Sequence, residues 1–401
     1  MLPRERTDDI AQIADDLVAL HSSDPVTVYL SAMVRMVHPS VDAVSDALYE
    51  RRSLIRHHAM RRTLWVATPE VVRLMHASAT RALLAPERRR TCTLLAAAGV
   101  EHPEVWLDSA LRRTLAAFAE HGPMTARELG ERVPELRQPL SLSPGKAYAA
   151  TQSAHTRVVL LLAFAGHLLR ARPTGTWVNA AYRYVETEAW LPGGLGELEL
   201  RPAAAALAER WLRRFGPATT TDLRWWMGWT AAVTTRALAD LGAVAVSTRA
   251  GPAWQVAPDE PGEPTEPVQS VEPWVAVLPG LDPTIMGWKE RAWYLPAAAA
   301  EAFDRAGNAG ATLWVDGRVV GAWAQARDGE VVVHYFEQVA AGRRRELADR
   351  LAELRSWVGP TRFTPRFPSP VHARLLSTPG RPELLGDPSV LPDGKTHRPA
   401  D

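Results

Sequence analysis

Gly122-Pro123-Met124-Thr125-Ala126-Arg127-Glu128-Leu129 and Gly216-Pro217-Ala218-Thr219-Thr220-Thr221-Asp222-Leu223 share one pattern, G-P-x-T-x-x-[ED]-L. Each copy follows an amphipathic stretch, Leu111 to His121 in the first and Ala203 to Phe215 in the second. Gly directly after the last periodic residue caps a helix C-terminus, and the Pro behind it prevents continuation. Thr125 and Thr219 then read as N-caps of a second helix, with Glu128 and Asp222 three residues on as capping-box partners. Each copy therefore encodes helix, tight turn, helix.

The similarity continues downstream. Ser153 to Phe164 reads as a third helix, followed by Gly166 to Arg172, a turn at Pro173-Thr174-Gly175, and Thr176-Trp177-Val178 as the returning strand. In the second copy Thr230 to Leu241 is the third helix. Val244-Ala245-Val246 and Trp254-Gln255-Val256, around Ala250-Gly251-Pro252, form the hairpin. Three helices closed by a β-hairpin is a winged helix, whose third helix enters the major groove in helix-turn-helix relatives. A less regular third copy is expected nearer the N-terminus. There Val41 to Tyr49 is a helix, Met60 to Ala67 alternates like a strand and Pro69 to Ala82 is a helix.

Beyond the second repeat, Asp259 to Pro273 is rich in Pro and Glu and reads as a linker. Strands are then expected at Trp274 to Leu278, Ala311 to Val315, Val319 to Ala324 and Val331 to Tyr335, with Asp316-Gly317 as a two-residue hairpin turn. Arg343 to Trp357 reads as a helix. The predicted fold class is α+β: three tandem winged-helix units and a β-rich C-terminal domain. The expected boundaries are 1–105, 106–195, 196–258, the linker 259–273, the β-rich domain 274–358 and a loosely ordered tail 359–401.

Composition narrows the class. The chain has 401 residues, 46% apolar and 23% charged, and no uncharged apolar run of membrane-spanning length. Its start, Met1 to Asp9, is charged and lacks an apolar signal-type run, and Cys92 has no second cysteine to pair with. A cytoplasmic, nucleoid-associated monomer is expected. The net charge of +1 hides a local asymmetry: ten arginines and two acids lie between Arg51 and Arg90, whereas Asp259 to Glu272 holds five acids and no base. A local basic stretch suits a nucleic-acid footprint, although arginine for lysine also fits a codon bias, lysine occurring only at 146, 289 and 395.

Strong catalytic signatures are missing: no Walker loop, no HExxH, no cysteine pair for zinc, no G-x-G-x-x-G and no G-x-S-x-G. No cofactor and no metal are expected, and the adjacent His57-His58 pair has the wrong spacing for one helical face. What remains is Leu20-His21-Ser22-Ser23-Asp24-Pro25. Asp24 as N-cap and Pro25 at the first helical position open a helix, Val26 to Met33. His21 and Ser23 stand just ahead of it, where a helix N-terminus stabilises anions or orients water. The alternative is a packed histidine beside a capping serine.

That stretch, with Arg61-Arg62-Thr63-Leu64-Trp65-Val66, Phe215-Gly216-Pro217-Ala218-Thr219, Leu278-Pro279-Gly280-Leu281-Asp282-Pro283 and Val315-Asp316-Gly317-Arg318, resembles the AlkZ/YcaQ family of winged-helix DNA glycosylases. The resemblance runs from roughly Ile10 to Val358. It implies three tandem winged helices plus a β-rich part around a concave DNA cradle. It also implies excision of bulky or cross-linking alkyl lesions from purines, often as self-resistance in makers of DNA-damaging antibiotics. Family members carry Gln-apolar-Gln or Gln-apolar-Asp ahead of the Asp-Pro, and some begin it with His. Here those positions are His21, Ser22 and Ser23, so Ser23 brings neither the reach of Gln nor a charge.

Two DNA-acting functions follow, beside a third in which the winged helices mediate protein contacts. In the first, a DNA glycosylase hydrolyses the N-glycosidic bond of bulky N7-alkylated purines in double-stranded DNA. His21 holds or deprotonates the water, Ser23 or Asp24 assists, and Arg56, Arg61, Arg62, Arg157, Arg172, Lys289 and Arg291 are candidate DNA contacts. In the second, a lesion sensor or regulator binds DNA without chemistry. Trp225, Trp226 and Trp229 are expected in the core, with Trp65 and Trp177 as candidate stacking residues on wing strands.

Overall fold

The computed structural model describes residues 5–142, 145, 150–248, 251–258 and 271–377. They divide into two compact units, Met1–Glu272 with Leu281–Trp293, and Pro273–Gly280 with Tyr294–Asp401. The expected linker lies outside the described residues except for 271–273.

The first unit opens with the helix Ile10–Asp16, capped by the Asp9 carboxylate, and the two-residue strand Leu20–His21. Asp24 then caps the helix Pro25–Met33, its side chain accepting from the Val26 amide, with Pro25 at the first turn as expected. Val41–Tyr49 follows, capped by Ser40. Leu20–His21 forms the edge of a three-stranded antiparallel sheet whose centre is Leu64–Ala67 and whose far edge is Ile55–His58. All three strands are buried throughout, so the alternation expected over Met60 to Ala67 is not a half-solvated strand. Met60–Arg62 is instead a tight turn in which Arg61 and Arg62 both take positive φ, 55° and 63°.

The helix expected from Pro69 to Ala82 is present and runs on. Pro69–Met75 passes through a π-helical turn, His76–Thr80, into Arg81–Ala97. The first repeat follows as Pro103–His121, then Thr125 capping Ala126–Arg132 with a complete capping box, then His155–Phe164. Two departures from expectation occur here. An extra hairpin, Pro139–Leu142 with Ala150–Ser153, lies between the second and third helices. The closing strand Leu168–Pro173 pairs with Tyr182–Glu186, not with residues 176–178. Residues 174–181 form a longer loop tied by the Asn179 carboxamide, which accepts from the Thr176 amide (2.8 Å) and hydroxyl (3.1 Å). Local side-chain bonding of this kind competes with strand pairing.

The second repeat keeps the expected order without insertion: Leu200–Phe215, Thr220–Met227 capped by Thr219 and Asp222, Ala231–Leu241 capped by Thr230, and the hairpin Val244–Thr248 with Gly251–Gln255. Gly228 and Gly242 end the last two helices in the left-handed region. Part of the expected turn, Ala250, lies outside the described residues. Two apolar clusters hold the unit. One gathers Trp65, Trp211 and Trp226 with Leu207 and Val72, and the other Leu107, Phe118, Leu129, Val158 and Leu162.

The second unit is a four-stranded antiparallel sheet in the order Val275–Leu278, Thr312–Val315, Arg318–Gln325, Val331–Tyr335. Asp316 and Gly317 turn the middle hairpin at φ 47° and 84°, as the Asp-Gly signal demands. Ala341–Val358 is the expected helix. The tail is folded for part of its length: Pro370–Ser377 is helical, and Ser369 and His372 are fully buried. Its Pro-rich composition hid these anchors; residues 378–401 lie outside the described part.

Candidate active site

Pairing in the short sheet decides where His21 goes. It stands opposite Trp65, and its ring packs edge-on to the Trp65 indole at 4.7 Å between centroids. Only 2% of His21 is exposed. Burial first, and the Arg61 charge second, hold its imidazole down to about 3, so the ring is neutral. Its Nδ1 accepts from the Ser23 amide at 3.4 Å. That bond needs an unprotonated Nδ1, so the neutral ring carries its hydrogen on Nε2. A buried, neutral His21 is thus a hydrogen-bond donor at Nε2, which suits holding a water better than deprotonating one.

Ser22 is buried, and its hydroxyl accepts from Arg56 Nε at 2.8 Å. Ser23 is half-buried and its hydroxyl accepts from the Leu64 amide at 3.5 Å. Asp24 spends one carboxylate oxygen on the Val26 amide at 3.2 Å, the helix-cap role that its sequence predicts. Its charge is also felt by the Tyr182 phenol, which burial raises above its usual value against the pull of Arg56.

Arg56 is the main departure among the predicted cations. It is 2% exposed and enclosed by tyrosines, with Nη1 donating to Tyr49 Oη at 2.8 Å and Cζ lying 4.5 Å from the Tyr182 ring centroid. Among the described residues no carboxylate pairs with it, and Nη2 and the Tyr182 hydroxyl are both buried without a partner. Burial removes Arg56 from the list of surface phosphate contacts. Arg157 leaves it for a similar reason: it is buried and bonds Glu87 Oε2 at 3.1 Å. Arg62 shares that Glu87, and Arg172 pairs with Glu50 at 2.6 Å and lies over Tyr49. Both keep much of their side chains in solvent, as Lys289 does.

Arg61 and Arg291, far apart in sequence, converge on Trp225, with Cζ 4.2 and 5.0 Å from an indole centroid. Of the three tryptophans expected in the core, Trp226 and Trp229 are buried but Trp225 is only half-buried. Trp65, expected as a stacking residue, is sealed at the sheet centre, whereas Trp177 lies in a loop against Tyr29, 5.2 Å away. Tyr49 and Tyr182 are neighbours that the sequence leaves unmarked, and Trp225 is one that it places in the core. Each is far from the motif in the chain and carries no spacing signal.

His57 and His58 do not share a ligand set. His57 Nε2 lies 3.1 Å from His76 Nδ1, and His58 packs on Phe164. Among the described residues no group of three or more His, Cys, Asp or Glu side chains could hold a metal. Among them also, no helix is long and apolar enough to cross a membrane.

No curated protein matches the chain. Among solved structures it is similar to the Streptomyces sahachiroi DNA glycosylase AlkZ at 20% identity, with a TM-score of 0.66, covering 88% of this chain and 92% of that one. That likeness establishes a shared mixed helix-and-sheet fold. The family described as DNA glycosylase AlkZ-like matches residues 14–357, from the first helix through the last turn of Ala341–Val358 and across the whole His21 motif. The chain belongs to the AlkZ-like DNA glycosylase family.

Proposed function

We propose that this protein is a monofunctional glycosylase that excises bulky N7-alkylated purines from double-stranded DNA. The observation that carries this is the placement of His21. It is a neutral donor beside an Asp24-capped helix N-terminus, inside the segment matched by a DNA glycosylase family. Alkylation at N7 makes the base a cation, so the leaving group departs neutral and requires little protonation. His21 Nε2–H holds a water oxygen. That oxygen forms a bond to C1′ of the deoxyribose while the C1′–N9 bond breaks and its electron pair leaves with the base. The water proton passes to solvent or to Asp24, whose charge also offsets the developing oxocarbenium. The repeats act as winged helices on the duplex, the protein works as a monomer, and protection of a producer from its own DNA-damaging product is the fitting context.

A second reading has its own support. Burial of His21 against Trp65 and the uncharged Ser23 also suit a lesion-binding protein without chemistry. Duplexes carrying N7-methylguanine or a bulky N7-guanine adduct, treated with alkali after incubation, separate the two. Alkali-labile breaks at the lesion, reduced at least about a hundredfold in Asp24→Asn and His21→Ala, are expected for the glycosylase. Salt-sensitive binding with no breaks on either lesion supports the second reading.

A further inference from the structure

We propose that Arg61, Trp225 and Arg291 form a clamp for one phosphodiester of a DNA strand passing beside the His21 motif. The proposal rests on the DNA-acting reading above and names how that site holds its substrate.

Charge is the first ground. Two guanidiniums lie against one indole, at 4.2 and 5.0 Å. Each is attracted to the ring face, but they repel each other. Burial, then the Arg291 charge, brings Arg61 down to about 10. Among the described residues Arg61 makes no ion pair, and its buried Nε has no partner. The carboxylate on the same helix, Asp222, does not compensate. It accepts from the Thr219 amide and hydroxyl and from the Lys289 and Glu290 amides, all within 3.2 Å. Two cations gathered at one half-exposed aromatic repel each other, and an anion between them removes the cost.

Construction is the second ground. Arg61 sits in a turn where two successive non-glycine residues take left-handed φ, a conformation that strains L side chains. Such strain persists where surrounding structure over-determines it, and it clusters at ligand sites. The turn lies hard against the end of the Trp225 helix. A Cβ on Gly228, itself at φ 70°, would come within 3.1 Å of the Arg61 amide nitrogen. Arg291 arrives on the Leu281–Trp293 segment. That segment is pinned by the Asp222 bonds to residues 289 and 290, and Arg291 Nε donates to the Trp288 carbonyl at 2.8 Å. Three remote pieces of chain are thus fixed to present two planar forks around one ring.

Position is the third. Arg61 lies in the turn that leads into Leu64–Ala67, the strand whose Trp65 pairs with His21, so the clamp and the motif share one neighbourhood. A phosphodiester matches the two forks, and the indole offers a surface for the adjoining sugar or base.

The test uses the full-length protein and a short fluorescein-labelled duplex of undamaged, mixed sequence, with affinity read by anisotropy over a series of salt concentrations. Arg61→Gln and Arg291→Gln are each expected to weaken binding about tenfold at low salt. The double variant should flatten the slope of log affinity against log salt by about one, as for one lost phosphate contact. Arg305→Gln, an exposed charge in the second unit, serves as the matched control. Arg291→Gln lies outside the strained turn, so it reads the clamp even where Arg61→Gln unfolds. Slopes and affinities equal to wild type, or changes no larger than those of Arg305→Gln, overturn the clamp. Because undamaged DNA is the probe, absence of base excision leaves this result intact. A wild-type protein that does not bind the duplex at all removes the clamp together with the DNA-acting reading.

Discussion

At the residue scale the motif shows how burial changes what a side chain can do. An exposed histidine would titrate near neutrality; His21, sealed against Trp65 and near Arg61, stays neutral and donates. Asp282 shows the opposite outcome of burial. It is fully buried, which pushes its carboxyl up, yet Arg35, Ser31 and the Thr284 amide outweigh this and keep it below its usual value. Arg35 meets it with both terminal nitrogens, at 2.8 and 2.9 Å, and Ser31 donates at 2.7 Å. Since Ser31 and Arg35 lie on and just beyond the Pro25–Met33 helix, this pair ties residues 281–293 to the helix that Asp24 caps. Asp282→Ala leaves Arg35 buried and unpaired, and is expected to lower stability by about 3–5 kcal/mol in denaturant unfolding. A loss below about 1 kcal/mol would show that water readily reaches Arg35.

At the element scale the two repeats use the same cap for different loads. Glu128 closes a capping box with Thr125, and beyond it accepts from Arg183. Asp222 closes the matching box with Thr219 and also receives the amides of Lys289 and Glu290 at 2.8 Å each. Glu128→Ala should therefore cost about 1 kcal/mol. Asp222→Ala should cost about 3 kcal/mol, because two further part-buried donors lose their acceptor. Urea midpoints of the two variants decide the point, and equal losses would mean that residues 289–290 re-bond elsewhere. The caps were legible because Thr, Glu and Asp act within three residues. The returning strand of the first hairpin lies later than expected because the Asn179 loop that delays it has no distinctive spacing.

At the scale of the whole molecule, four buried histidines of the first unit set its response to acid. His21, His57, His58 and His76 are each lowered, first by burial, with His21 at about 3 and His76 at about 4. Unfolding frees them to protonate near 6.5. Below that value the unfolded chain binds more protons than the folded one, so stability is full above about pH 6.5 and falls as pH drops toward 4. Circular-dichroism melting from pH 7.5 to 4 should show this decline, and His76→Gln should make it shallower; an unchanged slope in that variant would exclude His76 as a contributor. The amino-acid sequence already dictates the caps, hairpin turn and second repeat, since these depend on neighbours within a few residues. The motif was visible for the same reason, as an Asp-Pro helix start behind a histidine. Folding alone settled which cations serve a surface. Arg56 and Arg157 were drawn into the interior, and Arg61 and Arg291 were brought to one indole. The fate of a long charged side chain depends on what packs against it from distant segments, and no local spacing records that.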